Sequence, residues 1–534
     1  MKLKWVIFAA ARITMVVAVV IATANQRFNV AMMLQDNGLK SLKIRDVEFL
    51  ENGEFRVEQV VLRRPDGQIY QGAKLGSSMV DPARDEVTKI LPWGILKVNY
   101  AASGNRLALT MTVANTSNSE TIQGLQLEPF ILRFPNKVTE YDGTIPLLAH
   151  NVGDLALVKV SYGSGALAVL SEDLDKPLMV GFPWALDRPN NMIFPLSVHT
   201  DRVNTYPDSY PTLKRPIPPK GTDVYRVSLR FGRPDATADE LAGDVFKKYG
   251  ETFPAKLKWT DHRPIGAIFL ATASQDFDTN PQGWFGDSHV NVKTASGRAE
   301  FRQRVLALAD TAVAVMRSMN AQGAITWDIE GQRYGHAVGY ICDPRIVNDL
   351  APEMNEIADE YFARIRDAGF RVGVCIRPQQ VTVSPDRKTV TQTAVADPAQ
   401  LLIDKIGYVK KRWNATLIYI DSNADPRTSI PMDPDVIEKV SAAFPDVLLI
   451  PEHRTLRYYA YSAPYAELRN GDLGTSDAVR AVYPNAFSLI YTADGNLDLF
   501  KTKLTREAKL GSAFMYRTWY PDPQNQKVRA LMDN

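Results

Sequence analysis

The spacing of apolar and polar positions changes character once along this chain. From residue 27 to about residue 232 the runs are short and alternating. RLALTMTVANTS, from Arg106 to Ser117, sets apolar against polar residues in strict alternation, as a half-buried strand does. LEPFILRFP and LALVKVSYGSGALAVLS continue the pattern. Turn-forming clusters separate the runs at Asn52-Gly53, Pro65-Asp66-Gly67 and Ser103-Gly104-Asn105. Helical periodicity is scarce. The pattern predicts a β-sandwich over residues 27–232, with a loop-like stretch, NTYPDSYPTLKRPIPPKGT, before a last strand, DVYRVSLRFG.

Residues 233–263 read as a helical connector. ATADELAGDVFKKYGETFP predicts a helix ending near Gly250, and KLKWTDHRPIG leads onward. From Pro264 continuous apolar runs alternate with amphipathic helices. IGAIFLATAS is a first strand, and FRQRVLALADTAVAVMRSM follows with Phe301, Val305, Leu308, Ala312, Val315 and Met319 on one stripe. GAITWDIEG, RVGVCIRPQ, ATLIYIDSN and DVLLIPEH supply strands two to five, each separated from the next by a helical segment. FSLIYTADG and SAFMYRTWY read as strands six and seven, and no eighth is evident before Asn534. Such alternation means a parallel sheet covered on both faces. The chain is thus expected to be a multidomain β + α/β protein, an N-terminal β-sandwich followed by a (β/α)8-type TIM barrel over 264–534.

In that fold the C-terminal ends of the strands share one pocket. Strand four ends in Asp421 and strand five in Glu452, 31 residues apart, about one βα unit and the next strand. Paired carboxylates so placed can break a glycosidic bond, one as nucleophile or base and the other as acid. The plainer reading makes each a solvated loop acid or a helix cap; two on adjacent strands favour chemistry. Other strand ends carry Trp327, Asp328, Glu330, Arg377, Asp494, Arg517 and Trp519. Aromatic rings stack on sugar faces, and carboxylates and guanidinium groups bind hydroxyls, so these seven are the candidate substrate-binding residues. Asp328 and Glu330 share one alternation parity, which would let both face the pocket. Arg377 reads equally as an ion-pair partner for Asp328 or Asp421, and Asp494 is the alternative acid.

Charge and composition narrow the class. Net charge is +2 and no long basic run occurs, so nucleic acid is not an expected partner. No G-x-S-x-G, no phosphate-binding glycine loop and no H-E-x-x-H is present, which argues against serine hydrolases, nucleotide hydrolases and zincin proteases. His336 and His453 have no metal-site spacing around them, so neither metal nor cofactor is expected. Cys342 and Cys375 are the only cysteines and read as free buried thiols. Lys2 and Lys4, an apolar run interrupted by Arg12, and Ala22-Thr23-Ala24 read as a signal peptide over residues 1–24. That predicts a periplasmic or extracellular protein acting on an oligo- or polysaccharide, without membrane attachment after cleavage.

The order of parts, with Asp421 in LIYIDSN and Glu452 in LLIPEH, resembles α-retaining glycoside hydrolases that carry a mutarotase-like sandwich before the barrel. The endo-α-N-acetylgalactosaminidase-like families are the nearest in plan. The resemblance implies an Asp nucleophile ending strand four and a Glu acid/base ending strand five, here Asp421 and Glu452. The α-galactosidase clan, more distantly similar, takes its acid/base from an Asp ending strand six, which this reading places at Asp494. WDIEG and CIRPQ match no motif of either group.

Overall fold

A computed structural model describes residues 28–141, 157–174, 176, 178–182, 192–200, 215–271, 277–332, 339–384, 389–424 and 431–533. The signal-peptide stretch, most of the loop 203–222, and His336 lie outside the described residues. The chain divides into two compact units, the first running to Thr252 and the second starting at Phe253.

The first unit is an antiparallel β-sandwich. Its larger sheet runs in the order Val138–Tyr141, Leu157–Tyr162, Gly165–Ser171, Thr222–Gly232, Arg106–Asn115, Gly94–Ser103, Glu86–Leu91 and Ser77–Asp81. A second sheet runs Met179–Gly181, Ser197–His199, Thr121–Glu128, Arg56–Arg63 and Ile69–Gln71. Alternation places Leu107, Leu109, Met111 and Val113 in the shared apolar core, beside Val60 and Leu125 of the second sheet. Gly104, at φ +55°, turns the hairpin that joins Gly94–Ser103 to Arg106–Asn115. The helix expected within the connector, Ala238–Thr252, belongs to this unit. Leu241, Ala242, Val245 and Phe246 are buried along one face, and the helix packs on strands Gly165–Ser171 and Thr222–Gly232.

The second unit is the barrel. Its strands are Ile265–Ile268 (one), Gly323–Thr326 (two), Arg371–Ile376 (three), Leu417–Ile420 (four), Leu448–Pro451 (five), Tyr465–Glu467 (six), Leu489–Tyr491 (seven) and Ala513–Arg517 (eight). All ladders are parallel, in the order five-four-three-two-one-eight-seven-six. The strand not evident from sequence is therefore the sixth rather than the eighth, and the runs read as six and seven are strands seven and eight. Tyr-Ala-Glu is too short and too polar to announce itself. No ladder joins strands five and six among the described residues. One backbone bond crosses there, from Ala463 N–H to Leu449 C=O at 3.0 Å. Pro451 explains part of the opening, because it has no N–H to donate on that edge.

Alternate residues fill the barrel interior. Ile265 and Ala267, Ile325 and Trp327, Leu417 and Tyr419, Leu448 and Ile450, and Ala513 and Met515 form one core. The register decides which strand-end side chains point inward. Asp421 continues Leu417 and Tyr419, Glu452 continues Leu448 and Ile450, Arg377 continues Cys375, and Arg517 continues Met515. Among the described residues no helix is long and apolar enough to cross a membrane.

Candidate active site

Asp421 and Glu452 stand at the ends of neighbouring strands and share one set of tethers. Oδ2 of Asp421 takes an ion pair from Arg377, lies 3.8 Å from Cys342 Sγ, and accepts from Ser422 Oγ at 3.4 Å. Oε2 of Glu452 accepts the backbone N–H of Ser422 at 2.8 Å and lies 3.6 Å from His453 Nε2. Among the described residues, Oδ1 of Asp421 and Oε1 of Glu452 take no hydrogen bond.

The support behind them comes from strands three and four. Gln379 Nε2 donates to Ser422 C=O at 2.8 Å. Asn423 extends the ladder past its end, accepting His453 N–H at 2.8 Å and donating to His453 C=O at 3.0 Å. Lys405, buried on helix Pro398–Trp413, donates to the carbonyls of Arg377 and Gln379 at 2.9 and 3.1 Å and lies 3.3 Å from Asp343. Burial holds the Lys405 ammonium below its ordinary range, against the pull of Asp343. Burial would raise Asp343, but Arg345 and Lys405 outweigh it and hold the carboxyl below its ordinary range.

Glu452 titrates above the usual carboxylate range. Burial is the main cause, and the Asp421 charge adds to it. Tyr419, two residues before Asp421 and of the same inward parity, is buried. Its hydroxyl is pushed well up, first by burial and then by the charges of Glu452 and Asp421. Aromatic rings continue from it in both directions. Tyr419 lies 4.6 Å from Trp327 and 5.3 Å from Tyr465, centroid to centroid. Trp327 stacks on Phe269 at 5.3 Å, Phe269 meets Trp519 at 5.1 Å, and Tyr465 stacks on Tyr491 at 6.2 Å. Phe269, Tyr465, Tyr491 and Trp519 are half-buried, so this wall keeps exposed ring surface. The sequence pattern singled out only Trp327 and Trp519 from it. Tyr419 was within reach of the same parity rule that points Asp421 inward.

Two candidates do not face the pocket. Asp328 and Glu330 share the parity of Ala324 and Thr326, opposite to inward Ile325 and Trp327, so both turn away from the barrel axis. Thr326, on the same side, hydrogen-bonds Tyr361 of helix Pro352–Asp367 at 3.0 Å. Asp328 is wholly buried and accepts the N–H groups of Leu270 and Ala271 at 2.8 and 2.9 Å, clamping the segment after strand one. Burial pushes it up to about 7, against these bonds. Glu330 is wholly buried with neither oxygen hydrogen-bonded among the described residues, and burial pushes it up to about 8. Arg377 is buried and serves as the ion-pair partner of Asp421. Asp494 follows strand seven, so it is not a strand-six acid. Its half-exposed carboxylate pairs with Arg517. Glu467, which does end strand six, pairs with Arg469 at 2.8 Å.

No protein-family model matches this chain, and no curated protein does. Solved structures that resemble it include a glycoside hydrolase family 36 α-galactosidase from Geobacillus stearothermophilus in complex with raffinose, at 9% identity and TM-score 0.41, covering 95% of this chain and 84% of that one. A β-arabinopyranosidase aligns at 10% identity and TM-score 0.37, over 82% and 68% of the two chains. A family 97 enzyme from Pseudoalteromonas sp. strain K8 aligns at 11% identity and TM-score 0.35, over 81% and 66%. Likeness at this level leaves the chemistry to the site's own geometry.

Proposed function

We propose that this chain is an exported retaining glycoside hydrolase acting on an oligo- or polysaccharide. The observation that carries the reading is the pairing of Asp421 and Glu452 on adjacent strand ends, each with one oxygen unengaged among the described residues. Their surroundings differ in the sense acid and nucleophile require: Arg377 lays a positive charge against Asp421, while burial and the Asp421 charge keep Glu452 protonated to higher pH. Asp421 Oδ1 attacks the anomeric carbon as Glu452 gives its proton to the departing oxygen. Glu452 then takes a proton from water, and that water releases the sugar from the glycosyl-enzyme. The ring wall from Trp519 to Tyr491 suits the apolar faces of pyranose rings, and Arg517 with Asp494 offers polar groups to hydroxyls. Lys2, Lys4 and the Ala22-Thr23-Ala24 site support export to the periplasm or beyond.

The test is turnover on aryl α- and β-glycosides. Asp421→Asn is expected to lose orders of magnitude while staying folded. Added azide is expected to rescue Glu452→Ala with a glycosyl azide of retained configuration, and Asp421→Ala with the inverted product. Near-wild-type turnover by Asp421→Asn overturns the assignment. Saccharide binding by the wild type without turnover of any glycoside would make it a binding protein on a barrel scaffold.

A further inference from the structure

The chain's only two cysteines meet beside Asp421. Cys375 lies on strand three with its side chain in the barrel core, and Cys342 reaches the same core from the segment that follows the Gln332–Tyr340 bridge. Both are buried free thiols in this structure, as the sequence predicts, and their Sγ atoms are 2.6 Å apart. Their backbones run alongside, since Arg377 N–H donates to Cys342 C=O at 3.2 Å. Cys342 takes a φ of +51°, uncommon for a residue with a Cβ and kept where the surroundings over-determine it.

With Asp421 the two thiols form a triangle of possible ligand atoms, all within 4.8 Å of one another. Three observations weigh against a metal there. Two thiolates on one tetrahedral zinc, each at about 2.3 Å, stand about 3.8 Å apart, well beyond the separation seen here. Burial pushes both thiols above their ordinary range, whereas metal ligation requires thiolates. The Arg377 guanidinium, already paired with Asp421, opposes a further cation.

We propose that Cys342 and Cys375 form a disulfide, a crosslink that fastens the segment around Cys342 to strand three beside Asp421. The inference does not depend on the hydrolysis reading. Both S–H bonds break, one S–S bond forms, and the two protons and two electrons pass to an exchanging disulfide such as oxidised glutathione, which leaves as two thiols. The exchange takes place while the chain folds, before burial closes the pair off. It also removes the Cys342 S–H that lies 3.8 Å from Asp421 Oδ2, leaving Arg377 and Ser422 as that oxygen's partners.

The full chain, folded in an oxidising compartment and purified without reductant, should weigh about 2 Da less than after reduction. Denatured without reductant, it should take up no thiol-alkylating reagent, and peptide mapping should join the Cys342 and Cys375 peptides. Reduction should lower Tm by several degrees, and Cys342→Ser with Cys375→Ser should show the lower Tm whether or not reductant is present. Two alkylatable thiols per chain in that preparation would overturn the proposal, and so would one bound zinc with both thiols free. Neither result would bear on whether Asp421 and Glu452 cleave glycosides.

Discussion

The backbone N–H of Ser422 donates to Glu452 Oε2 at 2.8 Å, so the residue after the proposed nucleophile holds the proposed acid. Ser422 achieves this at a φ of +52°, in the left-handed region. Glycine enters that region freely and keeps the N–H, whereas a β-branched residue meets its own backbone there. Ser422→Gly is expected to keep fold and turnover. Ser422→Val is expected to be less stable than the wild type, because a β-branched side chain fits the left-handed region worse than serine does, and to shift the alkaline limb of the pH–rate profile. Denaturant titration and a pH series on both variants check this.

The raised pKa of Glu452 has a sign that can be tested. Burial and the Asp421 charge both disfavour its ionised form, so turnover that needs the acid is lost as pH rises through that raised value. Removing the neighbouring charge in Asp421→Asn should lower the Glu452 pKa, as followed by carbon NMR of labelled Glu452. An unchanged or higher value would show that the two carboxylates do not share a site.

Glu330 and Asp328 make stability depend on pH. Both are raised in the folded state, to about 8 and about 7, above the ordinary carboxylate values of the unfolded chain. Between those values the folded state binds more protons than the unfolded state. Each group therefore costs up to about 1.4 kcal/mol per pH unit as pH rises from near 4 towards its folded pKa. Glu330→Gln keeps the shape and removes the titration. It should be more stable than the wild type at pH 8, with the difference shrinking towards pH 4. Thermal melts across that range decide it.

Lys405 is expected to be structural and remote in its effect. Lys405→Met leaves the carbonyls of Arg377 and Gln379 and part of Asp343 without a buried donor, a change of about 3–5 kcal/mol. Because Arg377 is the partner of Asp421, kcat should fall more than KM rises. Urea unfolding and steady-state kinetics separate the two effects.

The two carboxylates were legible because strand parity is a local property. Asp421 follows Tyr419 and Leu417, and Glu452 follows Ile450 and Leu448, each at a spacing of two. The same rule puts Asp328 and Glu330 on one face without saying which face is inward; Trp327 in the core fixes theirs as outward. Strand six escaped because Tyr465–Glu467 has no apolar run of its own. The Cys342–Cys375 contact joins residues 33 positions apart and the Lys405 anchor joins residues 26 or more apart, and no periodicity reports such a meeting.

The unladdered edge of strand five separates what must stay constant from what can vary. Glu452 is tied from the strand-four side by Ser422, with its neighbour His453 held by Asn423, and Asp421 is tied from strands three and four. Tyr465 and Tyr491, across the opening, belong to another wall. Substitutions on strands six and seven would reshape the ring wall and leave the tethers of the carboxylate pair untouched, so they are expected to change which ligand is held rather than how the pair is supported.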